Sequence, residues 1–403
     1  MHVFDELVGR LTAATEKPEV RAFAPGLDLC IRFTVGDRSH VIDSRAVRGV
    51  NARACEISIT APESAWSFVL ADTPPPSYHS FSSIQLRNPH FTVTGDALRI
   101  AQARAYLEAV FANLCPRHAV AAPIDLQRLQ GRYNEVRTAD GHVAQLYSEM
   151  AGDGPPVLCL HTAGADTRQF HGVMCDPELG TGWRFIGFDM PYHGRSLPPA
   201  GWDGGSYCLG QKTYLDWCVS FIEQVIGEPV VVMGCSMGAG IAMVLAAERP
   251  DLVRAVVALE APLRPRGRRN AYLTHAQVNG SWHSAAYVRG LMSPLSPAES
   301  RRQAAFIYAQ GAPGIYDGDL AFYSDEFDGE EVAKRIDGTS IPVSLLIGHY
   351  DFSATVDDAY KLAAWIEGAG VTEMPELGHF PMTENPPVLL KYLRPVFAKL
   401  RQQ

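Results

Sequence analysis

The segment "VVVMGCSMGAG" (residues 230–240) joins a β-branched apolar run to an alanine-rich one through Gly234-Cys235-Ser236-Met237-Gly238. An unbroken apolar run suits a strand buried on both faces of a parallel sheet, and the alanine-rich continuation suits a helix. Glycines two residues either side of a serine fit a strand-to-helix turn too sharp for side chains around it. Such a turn holds the hydroxyl at the carboxyl edge of the sheet, where open α/β sheets bind ligands. It also aims the helix N-terminus, with its free N–H groups, at that hydroxyl.

Outward from this turn the chain alternates strand and helix patterns. Apolar strand candidates lie at residues 155–161, 183–189, 229–234, 254–260, 342–348 and 370–375, with helices expected at 213–226, 239–248, 356–367 and 387–400. Residues 262–340 loosen into an insertion bearing Trp and Tyr. The pattern predicts an α/β fold over residues 131–401: a mostly parallel sheet, helices on both faces and an inserted cap over about 262–340.

Residues 1–118 have a different texture and are expected to form a small α+β domain. "CEISIT" (residues 55–60) alternates as a half-buried strand, "PESAWSFVL" (62–70) reads as a short helix, and "TPPPS" (73–77) breaks the structure. "FTVTGD" (91–96) is a second strand, with Asp96 placed to cap a helix carrying Leu107, Val110, Phe111 and Leu114 on one stripe. The stretch "CPRHAVAAPIDLQRLQG" (115–131) separates the two parts. A fused small domain with an exposed apolar face favours a possible homodimer.

Hydrophobic residues make up 47% and charged residues 20% of the 403, and the net charge is −9. This is an ordinary globular balance without the basic footprint of a nucleic-acid binder. The basic run "RPRGRRN" (264–270) reads as a solvated loop. No run reaches the roughly 18 apolar residues of a membrane span. The N-terminus lacks a signal-peptide pattern, and eight scattered cysteines without a C-x-x-C pair read as reduced, mostly buried thiols. A cytoplasmic protein without membrane or nucleic-acid partners is expected.

A serine hydroxyl is a poor nucleophile and needs a base within hydrogen-bond reach. His379, in "PELGHFPMTENP", is the candidate base, and Asp351, in "LLIGHYDFSAT", the candidate acid that fixes its tautomer. Each follows a predicted strand, with room for one helix and one strand between them. Glu260, ending the strand at 254–260, is the alternative acid, and its other reading is a polar strand end hydrogen-bonded to the cap.

Together "LHTAG", "FDMPYHGRS", "GCSMGAG", "IGHYD" and "LGHFPMTENP" occur in the order found in the α/β-hydrolase superfamily, which residues 131–400 resemble. The resemblance implies an oxyanion hole from the Met237 and Ala163 amides. The usual His-Gly is His161-Thr162 here, which brings a hydroxyl towards the substrate. It implies that His161 and His193 brace backbone and that Cys235 is packing. Residues 25–114 resemble the sterol-carrier-protein-2-like domain, whose members bind lipid or serve as fused accessory domains.

The expectation is a serine hydrolase that cleaves a carboxylic ester or lactone of a fairly apolar small molecule through an acyl-enzyme. It requires no metal or organic cofactor. Trp282, His283 and Tyr287 of the cap are candidates to line the substrate pocket. A carbon–carbon bond hydrolase or a cofactor-free perhydrolase would use the same residues. A non-enzymatic small-molecule receptor or lipid carrier is the alternative from another class.

Overall fold

Alternation of apolar and polar residues builds the front domain. The computed structural model describes residues 2–43, 55–115 and 119–402, so residues 116–118 of the expected linker, and the boundary at 118, lie outside the described residues. Strands Cys30–Val35 (β1) and Arg38–Asp43 (β2) form a hairpin turned at Gly36, whose φ is positive. Strands Ile57–Ala61 (β3) and Thr92–Gly95 (β4) complete a four-stranded sheet in the order β2-β1-β3-β4. Ile31, Phe33, Ile57 and Ile59 point inward to helices Val3–Thr15, Glu63–Val69 and Ala97–Ala112, around a buried Trp66. The Trp66 indole donates to the Thr34 carbonyl (2.8 Å), and Asp96 caps its helix at the Arg99 N–H (3.0 Å).

One cysteine expectation is corrected here. Cys30 and Cys55 form a disulfide, their Cα atoms 4.6 Å apart. β1 and β3 run parallel as neighbours (Ile31 opposite Ile57), which brings together two residues far apart in sequence. Five of the six remaining cysteines are buried thiols, and Cys208 is exposed.

The main sheet has eight strands: Gln130–Arg137 (β5), Val143–Ala151 (β6), Pro156–Leu160 (β7), Arg184–Phe188 (β8), Val230–Cys235 (β9), Val253–Leu259 (β10), Val343–Gly348 (β11) and Gly370–Met374 (β12). Their order is β12-β11-β10-β9-β7-β8-β6-β5, parallel from β8 to β12 and antiparallel at β6 and β5. β5 and β6 carry polar residues on one face, so continuous apolar runs do not reveal them. β9 is buried at every position, as a central strand covered on both faces must be. Helices Gln211–Phe221 and Met237–Glu248 cover one face, and Pro386–Leu400 covers the other.

The residues between β10 and β11 form a cap containing helices Gly280–Gly290, Ala298–Ala309 and Ile315–Leu320. Helix Gly280–Gly290 packs against Ala97–Ala112 of the front domain. His79 and Ser80 meet the Gly290 carbonyl (3.1 and 2.8 Å), and Arg289 pairs with Glu19 (2.9 Å). Among the described residues, no helix is long and apolar enough to cross a membrane.

Candidate active site

The turn after β9 shows why its sequence must be Gly-x-Ser-x-Gly. Ser236 adopts φ 55° and ψ −115°, a region costly for a residue with a side chain. A β-carbon at Gly234 would collide with the Gly238 carbonyl, and one at Gly238 would collide with the Leu160 carbonyl at the end of β7. The turn therefore closes only with glycine at both positions. The Ser236 N–H donates to the Leu259 carbonyl (3.0 Å), which fastens the turn to β10.

Ser236 Oγ lies 2.8 Å from His379 Nε2, and His379 Nδ1 lies 2.5 Å from Asp351 Oδ2. A carboxylate accepts, so Nδ1 carries the hydrogen and Nε2 is left to accept from the serine hydroxyl. All three side chains are buried, Ser236 being 4% exposed. Asp351 Oδ1 accepts from the Ser353 N–H (2.6 Å). The His379 N–H donates to the Leu291 carbonyl (3.0 Å).

Glu260 does not reach His379. It is fully buried with φ 50°, and its carboxyl accepts from the Gly348 N–H (2.9 Å) rather than from the cap. Burial first, then the charge of Asp351, push it well above the usual carboxylate range. Both effects favour its protonated form, as expected where a second carboxyl shares a buried site.

The Met237 and Ala163 N–H groups donate to no protein acceptor among the described residues. The Thr162 hydroxyl, expected to face the substrate, is engaged within the protein. The Thr162 N–H and hydroxyl both donate to Gln169 Oε1 (3.0 Å each), and the hydroxyl oxygen meets the Tyr308 hydroxyl. The loop after β7 is further held from the cap, where buried Asp319 accepts from the Gly164 N–H (2.6 Å), the Tyr207 hydroxyl (2.7 Å) and His193 Nε2 (2.8 Å). Burial opposes charge on His193, but Asp319 outweighs it and raises the imidazole; the same partners depress Asp319 despite its burial. His161 bridges the Thr162 carbonyl and the Met190 N–H, and Cys235 donates to the His379 carbonyl (3.3 Å).

Of the cap residues expected to line the pocket, two face elsewhere. Trp282 is 38% exposed and packs edge-on against Phe23 of the front domain (5.3 Å). His283 meets the Ala101 carbonyl (3.1 Å), with burial and then Arg104 pushing it down to about 4. The register of helix Gly280–Gly290 turns both toward the front domain. Tyr287, one turn on from His283, lies instead under the Arg268 guanidinium (4.8 Å).

Several side chains at the site were not singled out from the sequence: Tyr308, Asp319, Tyr323, Gln169 and Glu384. The Tyr323 hydroxyl lies 3.4 Å from Ser353 Oγ, beside Asp351. Glu384 accepts from the N–H groups of Gly378 (2.9 Å) and Phe380 (3.2 Å) on either side of His379, and from Ser293 and Ser296 of the cap. Its place five residues after His379 was the available signal. The solvated-loop reading of residues 264–270 is corrected in part. Arg264 pairs with Asp328 and Glu330, and Arg269 with Asp317 and Asp325, at the surface, but Arg268 turns inward.

Residues 155–386 match the family model of the alpha/beta hydrolase fold. A pyrrolizixenacetamide deacetylase of Xenorhabdus hominickii is 26% identical over 275 residues, spanning 65% of this chain and 96% of that protein. Among solved structures, an esterase from Thermogutta terrifontis superposes with a TM-score of 0.57 at 18% identity, over 67% of this chain and 99% of its own. An enol-lactonase from Burkholderia xenovorans does so with a TM-score of 0.56 at 16% identity, over 66% of this chain and 100% of its own. The chain belongs to the alpha/beta hydrolase fold family, and its class is that of an α/β-fold hydrolase.

Proposed function

We propose that this protein is a serine hydrolase that cleaves a carboxylic ester or lactone of a largely apolar small molecule through an acyl-enzyme. The observation that carries this reading is the unbroken hydrogen-bond chain from Ser236 Oγ through His379 to Asp351 at a serine held at positive φ. His379 Nε2 takes the serine proton as Oγ attacks the carbonyl carbon, while Asp351 stabilises the imidazolium that forms. The free Met237 and Ala163 N–H groups receive the developing oxyanion. The imidazolium then protonates the leaving oxygen, and water deprotonated by His379 releases the acyl group. A deacetylase among the relatives, and an esterase and an enol-lactonase among the structural neighbours, support acyl transfer as the reaction.

The front domain acts in this reading as an accessory brace of sterol-carrier-like pattern. Its support is the contact it makes with the cap and with Tyr350, whose hydroxyl donates to the Pro74 carbonyl (3.1 Å) beside Asp351.

Labelling with a fluorophosphonate, read by intact mass and peptide mapping, tests the proposal. One adduct on Ser236, absent after heat denaturation and absent in Ser236→Ala, is the expected result. A native protein that takes no label overturns it.

A further inference from the structure

Among the described residues, Arg268 is a cation without a counter-ion. It is partly buried between the cap and the loop that carries Asp351. One guanidinium nitrogen donates to Ser353 Oγ and another to the Tyr316 hydroxyl (3.1 Å), while the Tyr287 ring lies beneath its carbon (4.8 Å). The Ser353 N–H donates to Asp351, and the Tyr323 hydroxyl lies 3.4 Å from Ser353 Oγ. The guanidinium is thus joined through Ser353 to Asp351, and Asp351 through His379 to the serine.

Among the described residues no carboxylate pairs with Arg268, whereas its neighbours Arg264 and Arg269 each hold two. An arginine cannot shed its proton to relieve this. Its planar fork matches a carboxylate, and the hydroxyls of Tyr316, Tyr323 and Ser353 can rotate to donate to one. A cavity of about 420 Å³ lies on the cap side, with Gly164, Tyr308 and Tyr316 in its wall, so a molecule entering there meets a residue that also holds Arg268.

We infer that Arg268 is a specificity-determining residue that receives a free carboxylate on the substrate, apart from the acyl bond that is cleaved. The inference rests on the serine-hydrolase reading and narrows it. The substrate class becomes esters or lactones that keep one carboxylate, such as hemiesters of dicarboxylic acids, with the apolar body between carboxylate and scissile bond.

The test compares two fluorophosphonates of equal chain length, one ending in a carboxylate and one in a methyl group, by their second-order labelling rates at pH 7. Native protein should react at least about tenfold faster with the carboxylate probe. Arg268→Gln should lower that ratio by tenfold or more, and Arg268→Lys should retain part of it. Equal rates in the native protein, or an unchanged ratio in Arg268→Gln, overturn the inference. Should Arg268→Gln not fold, the native ratio and Arg268→Lys decide. If neither probe labels Ser236, the hydrolase reading itself has failed. If both label it at one rate, only the present inference has.

Discussion

At the edge of the main sheet, Ser236, Asp351 and His379 each follow a strand end, and backbone hydrogen bonds and glycines place them. Above that edge, Arg268, Tyr308, Asp319 and Tyr323 arrive from an insertion whose helices are short and in places π-helical, and side chains supply many of its contacts to the loops below, beside the backbone bond from His379 to Leu291. The first region is constrained by sterics that allow few residues, as at Gly234 and Gly238. The second is constrained by pairings between distant residues, any of which could be re-paired elsewhere. In the proposed reading, the chemistry sits on the first and the choice of substrate on the second.

The largest expected effect separates the two carboxyls at the sheet edge. Asp351→Asn should lower kcat by about 10⁴-fold, because the amide no longer fixes the His379 tautomer. Glu260→Gln should cost less than about tenfold, since an amide can still accept from the Gly348 N–H. Steady-state rates on a 4-nitrophenyl ester read both. Equal losses would mean that the two carboxyls act as one acid and that the edge is less simply built than its strand order implies.

A cap residue should matter next. Asp319→Asn leaves His193 without its buried counter-charge and loosens the Gly164 N–H beside the Ala163 donor. A fall in kcat of about tenfold to a hundredfold is expected, together with a lower Tm. A lower Tm with unchanged kcat would show that the cap stabilises the loop without setting its geometry, and would sharpen the division between the two regions.

The same division explains what was legible in the sequence. The turn at Ser236 and the strands on either side of it could be located because sterics and strand periodicity act over a few residues, and Asp351 and His379 because they follow strand ends in the α/β-hydrolase order of serine, acid, histidine. The Asp96 cap and the inward alternation of β3 were legible for that reason too. Trp282 and His283 were assigned to the pocket because they are large and lie in the cap; which side of a helix faces the site depends on the domain packed behind it. Arg268 could not be told from Arg264 or Arg269 by composition, because only the positions of Asp317, Asp325, Asp328 and Glu330 decide which arginines are neutralised. The Cys30–Cys55 link depended on a parallel β1–β3 pairing that no local pattern announces.

Glu384 lies on the seam, binding the loop of His379 from the sheet side and Ser293 and Ser296 from the cap. Burial, opposed by its four donors, raises its carboxyl from 4.5 to about 7. Between those values the folded protein keeps a proton that the unfolded chain has released. Its contribution is therefore full below pH 4.5, is lost as pH rises through about 7, and is level above that. The loss is at most about 3 kcal/mol. Glu384→Gln does not titrate, so the difference in unfolding free energy between native protein and variant should change between pH 5 and pH 8, measured in urea. The native protein should lose more stability over that interval than the variant. A pH-independent difference would mean that Glu384 is already ionised at pH 5, held by its donors, and that the seam belongs electrostatically to the backbone-built edge rather than to the cap.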